Sequence, residues 1–184
     1  PALLCANHDS YWDPLAIGIP AYGRRPIRAL AKASLWNVPL VSQVLTGCGH
    51  IPIERGAGDR GALDRAAAEL RDGACIGVFI EGTRSLGRAL RARSGFGHLA
   101  QTTPDAQIVC CRVNGAADVP RLTMRPRVTV EFFAPAGGGM QPGEDAQAFC
   151  QRLRDEIREG APRAIAGRRR RRAAARGELT PMPG

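Results

Sequence analysis

Two rhythms of apolar and polar positions alternate along the chain. Ala2-Leu3-Leu4-Cys5-Ala6, Cys75-Ile76-Gly77-Val78-Phe79-Ile80 and Gln107-Ile108-Val109-Cys110-Cys111-Arg112-Val113 are near-continuous apolar runs of strand length, the pattern of strands buried on both faces. Ile27-Arg28-Ala29-Leu30-Ala31 and the brief His50-Ile51-Pro52-Ile53 read as further strands, and Arg127-Val128-Thr129-Val130-Glu131-Phe132-Phe133 alternates as an edge strand should. Between these runs the period changes to that of a helix. Residues 60–71 place Leu63, Ala66, Ala67 and Leu70 on one face. Residues 145–159 predict the last helix, and shorter ones are expected over 14–20 and 95–101. Residues 34–45 are apolar at helical spacing, with Pro39 expected to kink them and Gly47 and Gly49 to end them; Pro20 and the loop Tyr22-Gly23-Arg24-Arg25-Pro26 should stop the first helix.

Strands alternating with helices predict an α/β fold, with a mostly parallel central sheet flanked by helices and ligands at the carboxyl ends of the strands. At 184 residues with 44% hydrophobic content, the chain suits one domain over 1–160 with a substantial core. The strand-like opening directly after Pro1 leads us to expect residues upstream of it. No apolar run reaches bilayer-spanning length.

Charge adds a tail to this picture. Of the net +9, residues 163–184 supply six through seven Arg and one Glu, so 161–184 reads as a basic, disordered tail. Its Arg168 to Arg172 run lacks interleaved aromatics and any accompanying nucleic-acid motif, so the expected partner is a peripheral membrane surface rather than nucleic acid. The six cysteines form no C-x-x-C pair, which fits reduced core thiols of a cytoplasmic protein. His50 and His98 have no metal-ligand partner at useful spacing and take structural or surface roles; no metal site is expected. The absence of G-x-S-x-G argues against an α/β-hydrolase serine nucleophile.

The chemistry concentrates in Asn7-His8-Asp9-Ser10-Tyr11-Trp12-Asp13-Pro14. His8 can exchange a proton near neutral pH, and Asp13 can fix its tautomer and stabilise the imidazolium. On a continuous helix, five residues turn through about 500° and leave the two side chains some 140° apart, so they meet only if the backbone changes course between them. Two caps compete at the following helix. With Asp13 as N-cap, Pro14 takes the first helical position but the carboxylate is claimed by backbone amides; with Ser10 as cap, Asp13 is free to face His8. A plain cap beside a surface histidine is the competing reading.

A second stretch, Glu81-Gly82-Thr83-Arg84-Ser85, follows a buried strand with a glycine, two hydroxyls and an arginine suited to an anionic oxygen ligand. Arg55, leaving a neighbouring strand, offers a bidentate contact. Between them, Gly56-Ala57-Gly58-Asp59-Arg60-Gly61 is a G-x-G-x-x-G, with Glu81 twenty residues beyond Gly61. An NAD(P)-binding oxidoreductase is therefore an alternative.

Asn7-His8-Asp9-Ser10-Tyr11-Trp12-Asp13 resembles the N-H-x-S-x-x-D block of the glycerolipid acyltransferases, the 1-acylglycerol-3-phosphate acyltransferases. Gly49-His50-Ile51-Pro52-Ile53-Glu54-Arg55 is similar to their second block, and Phe79-Ile80-Glu81-Gly82-Thr83-Arg84-Ser85 to their F-P-E-G-T-R-S block. The resemblance runs over about residues 3–135, with Ile80 and Cys110 standing where the family has proline. It implies acyl transfer from acyl-CoA or acyl carrier protein to the hydroxyl of a lysophosphatidate-like acceptor in phospholipid synthesis. His8 would be the base and Asp13 its partner. Arg55, Glu81, Gly82, Thr83 and Arg84 would hold the acceptor, no cofactor would be needed, and amides near the helix start would serve the oxyanion. The expected location is the cytoplasmic face of the cell membrane. A non-catalytic lipid-binding protein of the same fold is the remaining alternative.

Overall fold

The computed structural model describes residues 1–54, 58–119 and 127–163. Six strands form one sheet: β1 (Ala2–Ala6), β2 (Ile27–Lys32), β3 (Ile51–Ile53), β4 (Cys75–Phe79), β5 (Gln107–Asn114) and β6 (Thr129–Phe133), in the order β3-β2-β4-β1-β5-β6. All neighbours pair in parallel except β6, which runs antiparallel to β5 at the edge. The expected α/β architecture is what forms.

The apolar runs explain the layering. Every residue of β1 is buried, and alternate side chains serve opposite faces. Leu3 and Cys5 join the core made with α3 (Arg60–Arg71), α4 (Gly95–Thr102) and α5 (Ala146–Gly160). Ala2, Leu4 and Ala6 pack on the other side with Ile17 of α1 (Asp13–Tyr22). The helix α3 has the predicted limits and buries Ala62, Ala66, Ala67 and Leu70. Asp59 caps it by accepting from the Ala62 amide at 3.0 Å.

Two prolines behave differently from expectation. Pro20 lies inside α1, which continues to Tyr22; it removes one helix hydrogen bond in a solvent-exposed last turn, where the cost is smallest. Pro39 separates rather than kinks. It holds Val38 extended at φ −102°, ψ 112°, so a 3₁₀ segment (Ala33–Asn37) ends and α2 (Pro39–Gly47) starts afresh with proline in its first turn.

The register brings the two informative stretches together. Ala6 and Phe79 are paired residues at the ends of adjacent parallel strands, so Asn7-His8 and Ile80-Glu81 leave the same edge of the sheet side by side. The Ile80 amide extends the ladder by donating to the Ala6 carbonyl at 3.1 Å.

Candidate active site

Asn7 replaces the strand where β1 ends. Its side-chain amide accepts from the Val113 amide and donates to the Val113 carbonyl, both at 2.9 Å, so it completes the β5 ladder while the backbone turns away. His8 follows that turn and is nearly buried, with 10% of its side chain exposed. Its Nδ1 lies 2.9 Å from Asp13 Oδ2. An ionised carboxylate only accepts, so Nδ1 carries the proton and Nε2 keeps its lone pair. Nε2 has no hydrogen bond to any described residue, which leaves it available to take a proton.

Asp13 is the first residue of α1, and Trp12 stands in the N-cap position without a side-chain cap bond. The same Asp13 Oδ2 accepts from the amides of Asp9 at 2.7 Å and Ser10 at 2.8 Å. Serving backbone amides and serving His8 are therefore not exclusive. The amides in question belong to the preceding loop rather than to the helix. Ser10 Oγ accepts from the Trp12 amide at 3.2 Å, and the Asp13 amide donates to the Ser10 carbonyl. The amides of Asp9, Ser10, Trp12 and Asp13 are thus engaged, and the expected role of helix-start amides as oxyanion donors does not fall to these four.

The second loop closes on the first. The His8 ring stacks on Phe79, the last residue of β4, with centroids 4.0 Å apart and planes at 15°. The Gly82 amide donates to the Phe79 carbonyl at 2.8 Å in a tight turn, and Gly82 takes φ +70°, which a side chain would strain. The Ser85 amide donates to the His8 carbonyl at 2.8 Å, and the Ser85 hydroxyl donates to Asp9. Arg84 lies over the Tyr11 ring at 3.5 Å, which sets its guanidinium beside the His8 loop.

Among the residues expected to meet substrate, Thr83 is exposed and Arg84 half-buried, as a ligand contact requires. Glu81 is placed differently. Its side chain is fully buried, and Arg158 of α5 donates to both of its oxygens, Nε to Oε1 at 2.9 Å and Nη2 to Oε2 at 2.5 Å. The ion pair turns the carboxylate into the protein, away from an acceptor or a cofactor ribose. Arg55 lies outside the described residues, as do Gly56 and Ala57 of the G-x-G-x-x-G and the Arg168 to Arg172 run.

Arg158 itself is buried to 6% side-chain exposure. Burial works against its charge, yet its hydrogen bonds and charge pairing with Glu81 and Asp9 outweigh that and hold its pKa above the ordinary value. His50 takes the structural role expected. Its Nδ1 accepts from the Ala29 amide at 2.9 Å, and burial lowers its pKa. No group of His, Cys, Asp and Glu among the described residues is arranged to hold a metal ion.

Comparison with known proteins fits this geometry. A family model described as Acyltransferase matches residues 1–119. The chain belongs to the glycerolipid acyltransferase family. As a member of that family it is 34% identical over 96 residues to the lyso-ornithine lipid O-acyltransferase of Pseudomonas aeruginosa, covering 52% of this chain and 36% of that protein. It is 38% identical over 91 residues to the 1-acyl-sn-glycerol-3-phosphate acyltransferase of Borreliella burgdorferi, covering 46% of this chain and 34% of that protein. The matched stretch thus spans about a third of the length of these relatives. The fold is similar to that of PlsC, the 1-acyl-sn-glycerophosphate acyltransferase from Thermotoga maritima, with a TM-score of 0.62 and 19% identity over 86% of this chain and 64% of that one.

Three residues around the acyltransferase-family histidine escaped the sequence reading: Asn7, Phe79 and Arg158. Phe79 and Asn7 stand within quoted blocks, so their position was visible although their contacts were not. For Arg158 the only signal was a cation in the last turn of an amphipathic helix.

Proposed function

We propose that this chain transfers an acyl group from a thioester donor, acyl-CoA or an acyl carrier protein, to the free hydroxyl of a lysophosphatidate-like acceptor, with His8 as general base. The observation that carries this reading is the Nδ1–Asp13 bond, which leaves Nε2 without a hydrogen bond among the described residues, in a loop tied by its His8 carbonyl to Ser85 of the 80–85 loop. Nε2 takes the hydroxyl proton as the acceptor oxygen attacks the thioester carbonyl. Collapse of the tetrahedral intermediate breaks the carbon–sulfur bond, and the imidazolium returns its proton to the leaving thiolate. Asp13 stabilises the imidazolium in between, and no covalent enzyme intermediate forms.

Arg84 and Thr83 are proposed to hold the acceptor phosphate, with Arg55 assigned to it on the family resemblance alone. Gly82 shapes that loop, and Glu81 anchors it from inside. The oxidoreductase alternative is disfavoured because Glu81, its ribose-binding acid, is sealed by Arg158 and because β3, the strand before Gly56, sits at the sheet edge.

A lipid surface is the proposed setting, at the cytoplasmic face of the membrane. No helix among the described residues is long and apolar enough to cross a bilayer. Ten exposed large apolar residues nevertheless fall between Tyr11 and Val44, among them Leu15, Ile19 and Tyr22 of α1 and Leu40 and Val44 of α2. Asp13, which is buried, is the only acidic residue in that stretch. Right-handed crossovers put α1 and α2 on the same side of the sheet, and the apolar exposed surface of these two helices, free of exposed acids, suits anionic lipid.

The test is thiol release from acyl-CoA with a panel of lysolipids. Turnover with 1-acylglycerol-3-phosphate at least about tenfold above neutral lysolipids supports the assignment of Arg84 and Arg55 to phosphate. No release with any lysolipid, or NADH binding in a fluorescence titration, contradicts the reading.

A further inference from the structure

The reach of Arg158 into the site from α5 is not accounted for by the chemistry above. We propose that Arg158 is a positioning residue that staples the His8 loop to the 80–85 loop, so that α5 sets the geometry of the base. The inference rests on the reading of His8 as that base.

Its donors are fully used. Nε and Nη2 donate to Glu81; Nη1 and Nη2 donate to Asp9 Oδ2 at 2.9 Å and Oδ1 at 3.1 Å; Nη1 also donates to the Ala161 carbonyl at 3.3 Å. A guanidinium has five N–H groups, and five acceptors meet them. Asp9 is equally complete. Each of its oxygens takes one bond from Arg158 and one from the loops, Oδ1 from Ser85 and Oδ2 from Asn7 at 3.2 Å.

Two buried carboxylates, one from each loop, therefore share one cation. Without it they are like charges out of water that repel one another, and the relief available to Asp9 is to swing outward. That movement pulls on the Asp9 amide bonded to Asp13 Oδ2 and on the His8 carbonyl bonded to Ser85. Both bonds fix the imidazole. Since its side chain is nearly buried, Arg158 acts on the rate through His8 and leaves substrate binding alone. Lysine is a poor replacement, because one ammonium with three donors cannot fork to two carboxylates.

The experiment uses the whole chain carrying Arg158→Met or Arg158→Lys, with thiol release from acyl-CoA and amide hydrogen exchange read together. The expected result for Arg158→Met is a kcat lower by about 10²-fold, the loss typical of slight misplacement of a catalytic group, with both KM values within about twofold. Arg158→Lys recovers part of the rate. Exchange at Asp9, Ser10 and Ser85 speeds up by about tenfold or more while α3 and β2 are unchanged. Wild-type kcat in Arg158→Met, an effect on KM alone, or faster exchange confined to the end of α5 or spread over the whole sheet overturns the proposal. If Arg158→Met does not fold, Arg158→Lys takes its place, and wild-type kcat with unchanged exchange at Asp9, Ser10 and Ser85 in it is equally fatal. A wild-type chain inactive with every donor defeats the reading of His8, while the exchange result still decides the staple.

Discussion

The imidazole of His8 lies flat against the ring of Phe79, 4.0 Å between centroids, so a residue of β4 sets the plane of a ring carried by the loop after β1. The register of the two strands makes this contact possible, since Phe79 pairs with Ala6 two residues before His8. Stacked pairs of this kind are worth about 0.5–1.5 kcal/mol beyond their buried area. Phe79→Leu keeps an apolar side chain but removes the flat face. The expected outcome is a kcat reduced by up to about tenfold together with a stability loss of about 0.5–1.5 kcal/mol, measured by steady-state thiol release and by thermal unfolding followed by circular dichroism.

Asp13 holds three donors on one oxygen, one of them His8 Nδ1. Asp13→Asn retains an acceptor of the same shape but loses the charge proposed to steady an imidazolium. We expect kcat to fall by about 10²–10⁴ and the far-ultraviolet spectrum to stay that of the wild type. A variant as fast as the wild type separates Asp13 from the chemistry.

Asn7 is the hinge on which the loop leaves the sheet. Asn7→Ala strips partners from the Val113 amide and carbonyl, both in the buried interior. A loss of about 1–3 kcal/mol in urea unfolding is expected, with an unchanged m-value. A midpoint equal to that of the wild type would show that the side chain is not holding β5.

His50 makes stability depend on pH. Burial lowers its pKa in the folded chain, and its Nδ1 must stay unprotonated to accept from Ala29. The unfolded chain, with a pKa near 6.5, therefore binds more protons than the folded one between the two values. This contribution is complete above about 6.5 and is lost as pH falls below it toward the folded pKa. His50→Gln should flatten the stability profile over that acid range, read from urea midpoints at stepped pH.

Much of this arrangement is legible along the chain because it is local. The short, near-continuous apolar runs of β1, β4 and β5 have the length and pattern of interior strands, and the face of α3 is written in Ala62, Ala66, Ala67 and Leu70. The order of the blocks also carries over, since parallel pairing of β1 with β4 puts their following loops together. What stayed hidden is non-local. Glu81 looked like a ligand because its partner Arg158 lies 77 residues away in a helix whose pattern announces only an amphipathic surface. Neither Ser10 nor Asp13 caps α1, since Trp12 holds the N-cap position; the choice between them was illegible because one Asp13 oxygen accepts from two loop amides and a histidine at once. Pro20 and Pro39 depart from the general effect of proline on helices because one is exposed in a last turn and the other follows an extended residue.

Proton removal by His8 is the step on which the proposed transfer depends, and His8→Ala removes the group that would perform it. With acyl-CoA and 1-acylglycerol-3-phosphate as substrates, the predicted result is a folded variant whose thiol release falls by about 10²–10⁴ relative to the unaltered chain. Turnover equal to that of the unaltered chain would contradict it.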